Sequence, residues 1–561
     1  MVNMKRILLP LALVAALAGM AACKSKEPQS VNDEVVPAVP LEQPVVTEED
    51  FIWERVEGGV RIKGYAGKAT DVPIPSEIGG MAVVEIGNMA FERKGLTSVS
   101  IPDGVTSIGS DALRGNKLTS LAIPDSVVSI GMAAFADNQL ASLSISRGIT
   151  SIKSQVFENN KLTSFVIPDG VTSIGDEAFD RNDLASLTIP DSVVSIGKEA
   201  FWWNELTSLT LGSGVVSIGD SALRDNKLAS ISIPDSVTSI GEMAFSGNEL
   251  TSLTIPDNVV SIGESAFEGN KLTSVTIGNG VTSIKRDTFI SNEIISLTIG
   301  NSVTSIGYQA FYDNQITSVT IPDSVTSISE SAFADNKITS LSIGNGVTSI
   351  GKRAFEGNKI TSLSIGNSVT SIGNSAFARN QITGVIIPDS VTSIEGSAFA
   401  INQLASLSIG KSVRDIGEAA FMSNNLTSLV IPDNVKDIGE KAFRANQLTS
   451  ISIGKGINYL QDETFAGNQL ASVTIPDDVV DIGEWTFAEN QLTSVIVPEG
   501  VEYLSNGVFA KNQLTSVTIP DTVRRINDHA FADNKLTDVS VLQRTTIERR
   551  AFDKGVTITR R

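Results

Sequence analysis

Residues 250–271 read LTSLTIPDNVVSIGESAFEGNK, and the same 22-residue pattern recurs through most of the chain. Units of this kind begin at Leu96, at Leu118 and at every 22nd residue up to Leu514, without insertion or deletion. Residues 96–535 therefore comprise twenty in-register repeats. A fixed period of this length is typical of a solenoid, in which each repeat contacts its neighbours, rather than of several independent globular domains.

The first six residues of each repeat have the alternation of a strand with one buried face. Positions one, four and six are aliphatic, as in Leu250, Leu253 and Ile255, whereas positions two, three and five are polar, as in Thr251 and Thr254. This pattern predicts one strand per repeat. Twenty strands spaced by about 4.8 Å predict one continuous sheet face roughly 100 Å long. The predicted fold is a β-rich solenoid with caps at both ends.

Two columns of identical residues run through the repeats. Position 21 is Asn in all twenty units, and we expect these side chains to form a buried ladder that bonds loop backbone and the next Asn, because a buried amide needs partners. Members of this ladder include Asn116, Asn138, Asn160, Asn270, Asn292 and Asn314. Position 18 is Phe except at Leu113 and Leu223, which predicts a stacked aromatic spine in the core.

Position seven ends the predicted strand. It is Pro in twelve units and Gly in seven, and Pro is followed by an acidic residue whereas Gly is followed mainly by Asn or Lys. Pro lacks a backbone donor and Gly adopts unusual backbone angles, so both residues predict a tight corner.

The repeat resembles the leucine-rich repeats of BspA-like surface proteins, also called the treponemal type. The resemblance is carried by runs such as 316–328 (ITSVTIPDSVTSI) followed by Ala332-Phe333, and it covers essentially residues 60–552. It implies an N-terminal cap with a divergent first repeat at 51–95 and a divergent C-terminal cap at 536–561. Many relatives have a repeat about one residue longer, often with Cys where this chain has Asn, so the resemblance does not carry over loop-borne binding residues.

The N-terminus has the features of an export signal. Residues 1–22 combine Lys5 and Arg6 with an apolar run that is too short for an ordinary membrane span and is interrupted by Pro10. Small residues before Cys23 resemble a bacterial lipoprotein signal, which implies lipidation of Cys23; an ordinary cleaved signal is the alternative. Residues 24–50, rich in Pro and acidic residues, predict a disordered linker.

Composition argues against most catalysis and against nucleic-acid binding. The 561 residues contain one His and one Cys, and the formal net charge is −20. Metal sites and His-based catalysis need several such residues together, and phosphate binding needs a basic face. We therefore predict a protein that is not an enzyme and that uses no cofactor or metal. A hydrolase with paired carboxylates is a third hypothesis, without support from an enclosed cleft.

Two surfaces are candidate partner-binding sites. Outward Thr residues, represented by Thr251, Thr254, Thr273 and Thr276, form a surface of hydroxyl and methyl groups that suits a protein, a glycan or a regular lattice, or is simply solvated sheet. Few repeats have Thr at both positions two and five, which disfavours an ice-binding surface.

The second candidate is Trp202 with Trp203, which place two large rings on an otherwise polar turn; the alternative is local packing against Phe179 and Leu223. The Asp residues at position eight, such as Asp103, form either a calcium-attracting edge or, as we favour, a solubilising edge.

The expected function is therefore a binding scaffold anchored at the cell surface, and the BspA-like resemblance implies adhesion to host matrix proteins, cells or other bacteria. The expected location is the outer membrane or cell surface, with membrane contact only through the lipid. A structural or periplasmic spacer lipoprotein without a dedicated ligand and a glycan-binding protein are the alternatives.

Overall fold

In the computed structural model, which describes residues 44–561, each 22-residue repeat forms one turn of a β-solenoid. This confirms the predicted fold. The single helical element in the described range is the 3₁₀ turn Glu48–Asp50. The predicted signal peptide, Cys23 and linker residues 24–43 lie outside the described residues.

Most repeats contain two short strands, so the prediction of one strand per repeat is wrong; the repeats that begin at 162, 228 and 470 lack the first of them. The first strand lies at positions three to six, as in Ser252–Ile255, and the second lies at positions 12 and 13, as in Ser261–Ile262. The second strand is only two residues long, too short for a pattern of alternation to reveal it. Position four and position six side chains of the first strand point inward, whereas Thr251, Ser252 and Thr254 are exposed, as predicted.

The first strands are Ser98–Ser100, Ser120–Ala122, Ser142–Ser144, Ser186–Thr188, Ser208–Thr210, Ser252–Ile255, Ser274–Ile277, Ser296–Thr298, Ser318–Ile321, Ser340–Ile343, Ser362–Ser364, Gly384–Ile386, Ser406–Ser408, Ser428–Val430, Ser450–Ser452, Ser494–Ile496, Ser516–Thr518 and Asp538–Val541. The second strands are Ser107–Ile108, Ser129–Ile130, Ser151–Ile152, Ser173–Ile174, Ser195–Ile196, Ser217–Ile218, Ser239–Ile240, Ser261–Ile262, Ser283–Ile284, Ser305–Ile306, Ser327–Ile328, Ser349–Ile350, Ser371–Ile372, Ser393–Ile394, Asp415–Ile416, Asp437–Ile438, Tyr459–Leu460, Asp481–Ile482, Tyr503–Leu504, Arg525–Ile526 and Thr546–Ile547.

The first strands do not form the continuous sheet face that the repeat predicts. They pair in parallel within groups of two or three, and the residue at position seven of the later repeat decides where pairing stops. We call the boundary between two consecutive repeats a junction. At all eight junctions where the later repeat has a residue other than Pro at position seven, the first strands of the two repeats are paired. At ten of the eleven junctions where that residue is Pro they are not paired, and we call such a junction open; the exception is Pro520. The eight residues are Ser146, Gly212, Gly278, Gly300, Gly344, Gly366, Gly410 and Gly454.

The physical reason is the close approach of consecutive turns at this corner. A Cβ added to Gly278 would lie 2.7 Å from the carbonyl oxygen of Ile255 in the preceding repeat. Proline fills this space with its ring and supplies no N–H for a ladder bond. At each of the seven Gly junctions the position-eight Asp or Asn of the preceding repeat also accepts a backbone N–H, as when Asn279 N–H donates to Asp257 Oδ1 at 2.7 Å.

Glycine at position 14 likewise accompanies pairing of the second strands of consecutive repeats. All thirteen junctions with Gly at this position are paired, whereas four of the seven others are open, at Lys153, Lys285, Gln461 and Ser505. A Cβ on Gly263 would lie 2.3 Å from the backbone nitrogen of Glu242. The longest uninterrupted ladder has eight strands and extends from Ser283–Ile284 to Asp437–Ile438.

Positions 14 to 21 form the third side of each turn, which we call the loop edge; residues 263–270 are one example. Positions 16 and 20 have positive φ in every repeat, for example Ser265 at 51° and Gly269 at 64°. The left-handed region costs a non-glycine residue roughly 1–2 kcal/mol. The cost is offset because amides at positions 16, 18 and 20 donate to carbonyls of the next repeat, as when Phe267 N–H donates to Thr288 O at 3.0 Å.

The Asn column is hydrogen-bonded at every turn and is buried throughout except at Asn534, which is half-buried. Asn270 donates from Nδ2 to the carbonyls of Phe245 and Phe267 at 2.9 and 3.2 Å, and its Oδ1 accepts the Leu250 N–H at 3.0 Å. The predicted bond from each Asn to the next is wrong, because these backbone groups use both ends of the amide. The same pattern holds at Asn116, Asn138, Asn160, Asn292 and Asn314.

The Phe column is a stacked spine, as predicted. Ring centroids lie 5.1–5.8 Å apart from Phe245 through Phe552, with interplanar angles of 17° or less. Leu223 separates this run from the shorter stack of Phe135 to Phe201.

The N-terminal end closes the solenoid with an antiparallel hairpin. β1 (Phe51–Val56) pairs with β2 (Gly59–Tyr65), and β2 pairs in parallel with Met81–Ile86, which leads into the repeat ladder. Short strands Asp71–Pro73 and Glu77–Ile78 complete this end. Part of the predicted linker belongs to the fold, because the turn Glu48–Asp50 accepts the Ala66 N–H at Asp50 O and Val46 packs against the core. At the other end, Thr557–Arg560 pairs with Asp538–Val541.

Candidate partner-binding surface

The four representative Thr residues lie on one flat patch of the first-strand side. Thr251, Thr254, Thr273 and Thr276 are all exposed and belong to, or directly precede, strands of the three-stranded group Ser252–Thr298. The Thr273 hydroxyl donates to Thr251 O at 3.0 Å, so the position-two hydroxyl is held by the preceding turn. This patch is therefore a fixed surface of methyl and hydroxyl groups without charge.

Large apolar side chains interrupt this polar side at five positions, one of which is Ile295 at position two, 51% exposed. Val166, Ile386, Val430 and Ile496 occupy position five and are 84, 74, 67 and 71% exposed. Around Val166 the first strand itself is lost, and a shallow depression of about 540 Å³ is lined by Ile145, Phe165 and Pro168. Phe165 replaces the usual Leu of position four and packs its ring 4.7 Å from that of Phe179, so the larger core side chain accompanies the local loss of pairing.

Trp202 and Trp203 lie on the loop edge, at positions 19 and 20. Their rings lie 6.3 Å apart at 28°, and Trp203 is 60% exposed. The Arg181 guanidinium lies 5.1 Å from the Trp202 ring and 5.9 Å from the Trp203 ring, and that of Arg224 lies 5.9 Å from Trp202. Trp202 Nε1 donates to Asp225 Oδ2 at 3.1 Å. Charged groups of adjacent repeats therefore surround the pair, an arrangement that the sequence pattern did not reveal.

A buried carboxyl group, that of Asp180, and a partly buried one, that of Glu158, precede the Trp pair in the position-19 column. Asp180 is 1% exposed, and burial raises its pKa to about 7 although Arg181 Nη1 lies 3.2 Å from Oδ2. Burial also raises the pKa of Glu158, helped by the negative charges of Glu177 and Asp137. Asp180 Oδ1 and Glu158 Oε2 are buried without a hydrogen-bond partner. Most other repeats have small or apolar residues at position 19, so the charged residues at this position could have been identified from the sequence as departures from the pattern.

The chain's single His lies in an aromatic contact that sequence reasoning missed. The His529 ring lies 6.4 Å from that of Trp485, two repeats earlier at the same position 16. The intervening residue at this position is Gly507, and the Trp485 ring covers the space its side chain would occupy. The signal was present in the sequence as a Trp, a Gly and a His spaced 22 residues apart.

The position-eight Asp residues have a structural role wherever Gly follows in the next repeat, as described for Asp257. Within residues 44–561, no group of three or more His, Cys, Asp or Glu side chains is arranged to hold a metal ion.

No helix in the described part of the chain is long and apolar enough to cross a membrane. The lipidation predicted at Cys23 falls outside that part.

Comparison with known families identifies the repeat. The model of the BspA type leucine rich repeat region matches residues 84–207, 194–317, 304–427 and 436–559, most of the chain. The chain belongs to this family of leucine-rich repeat scaffolds, as the sequence resemblance indicated. Comparison with curated proteins finds no match.

Solved structures of bacterial leucine-rich repeat proteins are similar in fold. One from Bacteroides ovatus is 18% identical, with 92% of this chain and 99% of that chain covered and a TM-score of 0.29. A leucine rich cell surface protein from Faecalibacterium prausnitzii is 22% identical, with 73% and 95% covered and a TM-score of 0.27. The leucine rich repeat protein of T. pallidum is 21% identical, with 41% and 86% covered and a TM-score of 0.21.

Proposed function

We propose that this protein is a non-enzymatic binding scaffold, anchored by lipid at Cys23 and exposed at the cell surface, that holds a protein partner along its repeat array and so mediates adhesion to host matrix proteins, cells or other bacteria. The observation that carries the proposal is the contrast between a uniform frame and variable side chains. The Asn and Phe columns repeat almost without change, whereas positions 16, 19 and 20 of the loop edge range from small residues to Trp. A rigid frame that presents variable side chains suits recognition.

Family membership and the export signal support a location at the cell surface. The Faecalibacterium prausnitzii protein is described as a cell surface protein, and the predicted signal and Cys23 provide a route to the same place for this chain.

The test compares the full-length wild type with Cys23→Ala in bacteria. We expect acyl labelling of wild type only, loss of the protein from intact cells on protease treatment, and binding of the purified protein to at least one member of a panel of matrix proteins and glycans. A protein that is protected from protease on intact cells is not an adhesin and fits the spacer hypothesis instead. Exposure without binding to any panel member contradicts a binding role.

A further inference from the structure

The loop edge of repeats 140–227 differs from the rest of the array in the chemistry of positions 19 and 20. These positions hold Glu158, Asp180-Arg181, Trp202-Trp203 and Arg224-Asp225 in successive repeats. The same positions further along the chain are mostly Ala, Gly or Ser, as in Ala466-Gly467. Consecutive turns place equal positions side by side, so these side chains form one continuous strip of charged and aromatic groups.

The Trp pair already binds guanidinium groups from its own chain. Arg181 lies within 5.9 Å of both rings and Arg224 within 5.9 Å of Trp202. Such distances are those of cation–π contacts, which are strongest with Trp. The outer ring, Trp203, remains 60% exposed. Its surface is therefore available to a further cation.

Carboxylate groups lie beside the rings, and that of Asp225 is partly exposed. Asp225 lies next to Trp203 in the following turn. Its Oδ2 accepts the Trp202 Nε1–H and lies 3.3 Å from Arg224 Nε, yet its side chain remains 43% exposed. Within the strip, Asp180 Oδ1, Glu158 Oε2 and Arg224 Nε are buried without a hydrogen-bond partner, so the exposed Asp225 is the carboxylate that a partner can reach. An exposed carboxylate beside an open aromatic face is complementary to a side chain that is both planar and cationic.

The charge of the whole molecule acts in the same direction. A net charge of −20 attracts a basic partner and repels an acidic one during encounter.

We infer that the Trp202–Trp203 edge is a docking site for an arginine-bearing, basic segment of a partner protein, in which one guanidinium stacks on Trp203 and pairs with Asp225. This inference rests on the proposed binding function and specifies the chemistry of the partner at one site. The remaining acidic surface steers the segment, and the two rings fix its position.

The experiment measures binding of a fluorescent nona-arginine peptide to the full-length protein by anisotropy at about 0.15 M salt, near physiological ionic strength. Trp203→Ser is the main variant, because Ser occupies the same left-handed position at Ser291 and Ser423. Trp485→Ser is the matched control, since Ser also occupies that position at Ser265. We expect Trp203→Ser to weaken binding at least tenfold, Asp225→Asn to weaken it several-fold, and Trp485→Ser to bind as wild type does.

Three outcomes would overturn the inference. Equal affinity of wild type and Trp203→Ser would mean diffuse attraction to an acidic surface, and absence of binding would exclude the site. Binding of a neutral glucose heptasaccharide that depends on Trp203, without binding of the peptide, would make the edge a glycan site. Two controls exclude misfolding as the cause of weaker binding. Circular dichroism checks that each variant is folded, and Asp225→Asn removes the charge while keeping an acceptor for the Trp202 Nε1–H.

The inference and the proposed function fail in distinguishable ways. If a matrix protein binds wild type and Trp203→Ser equally, the scaffold function stands and this site does not serve that partner. If the peptide binds in a Trp203-dependent manner but no panel member binds, the cation site stands and the adhesion proposal fails.

Discussion

The first-strand side and the loop edge of this solenoid are built by the same 22 residues, yet only the loop edge is continuous. First strands pair in groups of two or three and stop at most junctions where the later repeat has Pro at position seven. On the loop edge, the amide of position 18 donates to the next repeat at every junction, from Phe91 N–H to Ala112 O through Phe531 N–H to Ala551 O. The loop edge therefore bonds every turn to the next, and the first-strand sheet is the part that tolerates interruption.

The buried columns and the exposed first-strand side therefore have different roles. The buried Asn and Phe columns bond and stack between turns, so substitutions there affect neighbouring repeats as well as their own. The exposed first-strand side contributes little to cohesion at an open junction, which leaves its side chains free to vary. Four predictions test this separation, in order of decreasing effect.

Phe355→Ala is expected to produce the largest loss of stability. Its ring is fully buried, with neighbouring centroids at 5.3 and 5.5 Å, and a Phe-to-Ala cavity typically costs about 3–5 kcal/mol. The measurement is the free energy of opening of repeats 338–381 from amide hydrogen exchange. Phe355→Leu is the control, because Leu113 and Leu223 occupy this column naturally, and we expect it to cost less than half as much. A loss confined to one repeat would contradict a shared spine.

Asn336→Ala should cost about 2–4 kcal/mol, because several buried backbone groups lose their partner together. Asn336 donates to Phe311 O and Phe333 O at 2.9 and 3.2 Å and accepts the Ile316 N–H at 3.0 Å. The same exchange experiment on Ser340→Ala, on the first-strand side, should show a change below about 0.5 kcal/mol. Similar losses for the two variants would remove the distinction between the two sides.

Asp180→Asn tests the one buried carboxyl of the loop edge whose pKa is raised to about 7. The folded state binds this proton more tightly than the unfolded state, whose pKa is near 3.8, so the stability it contributes is present at low pH and is lost as the pH rises through 7. We expect the free energy of unfolding of the variant to exceed that of wild type by on the order of 1–3 kcal/mol at pH 8, and we expect this difference to shrink toward pH 4. Urea unfolding followed by Trp fluorescence measures this difference in stability near the site, since Trp202 lies beside Arg181, the partner of Asp180. A gain independent of pH would point to another cause.

Gly344→Pro should have the smallest effect, about 1 kcal/mol, because Pro occupies this position in twelve repeats. We expect amide protection to fall in the pair Ser318–Ile321 and Ser340–Ile343 and to stay unchanged at Phe333 and Asn336. Gly344→Ser is the control: it keeps the N–H, and Ser146 occupies the same position at a paired junction. Loss of protection on the loop edge would show that the two sides are coupled after all.

Much of the architecture was predictable from one repeat. Alternation at Leu250, Leu253 and Ile255 gave the inward face, and the invariant Asn indicated a buried ladder. The second strand was missed because Ser261–Ile262 is too short to alternate. The interruptions were missed although the Pro and Gly choices at position seven were visible, because their consequence depends on how closely the preceding turn approaches.

For the candidate site, the sequence singled out Trp202 and Trp203 as departures from the pattern, but not their surroundings. Arg181, Arg224 and Asp225 come from the adjacent turns, and neither their contacts nor the burial of Asp180 follows from composition.

The sequence by itself determined the period, the register and the inward and outward faces, because these follow from the side chains of a single repeat. Only the tertiary structure decided which strands pair, how the left-handed residues of the loop edge are compensated, and which charges surround the Trp pair. Each of these depends on contacts between residues about 22 positions apart, and such contacts exist only when one turn lies on the next.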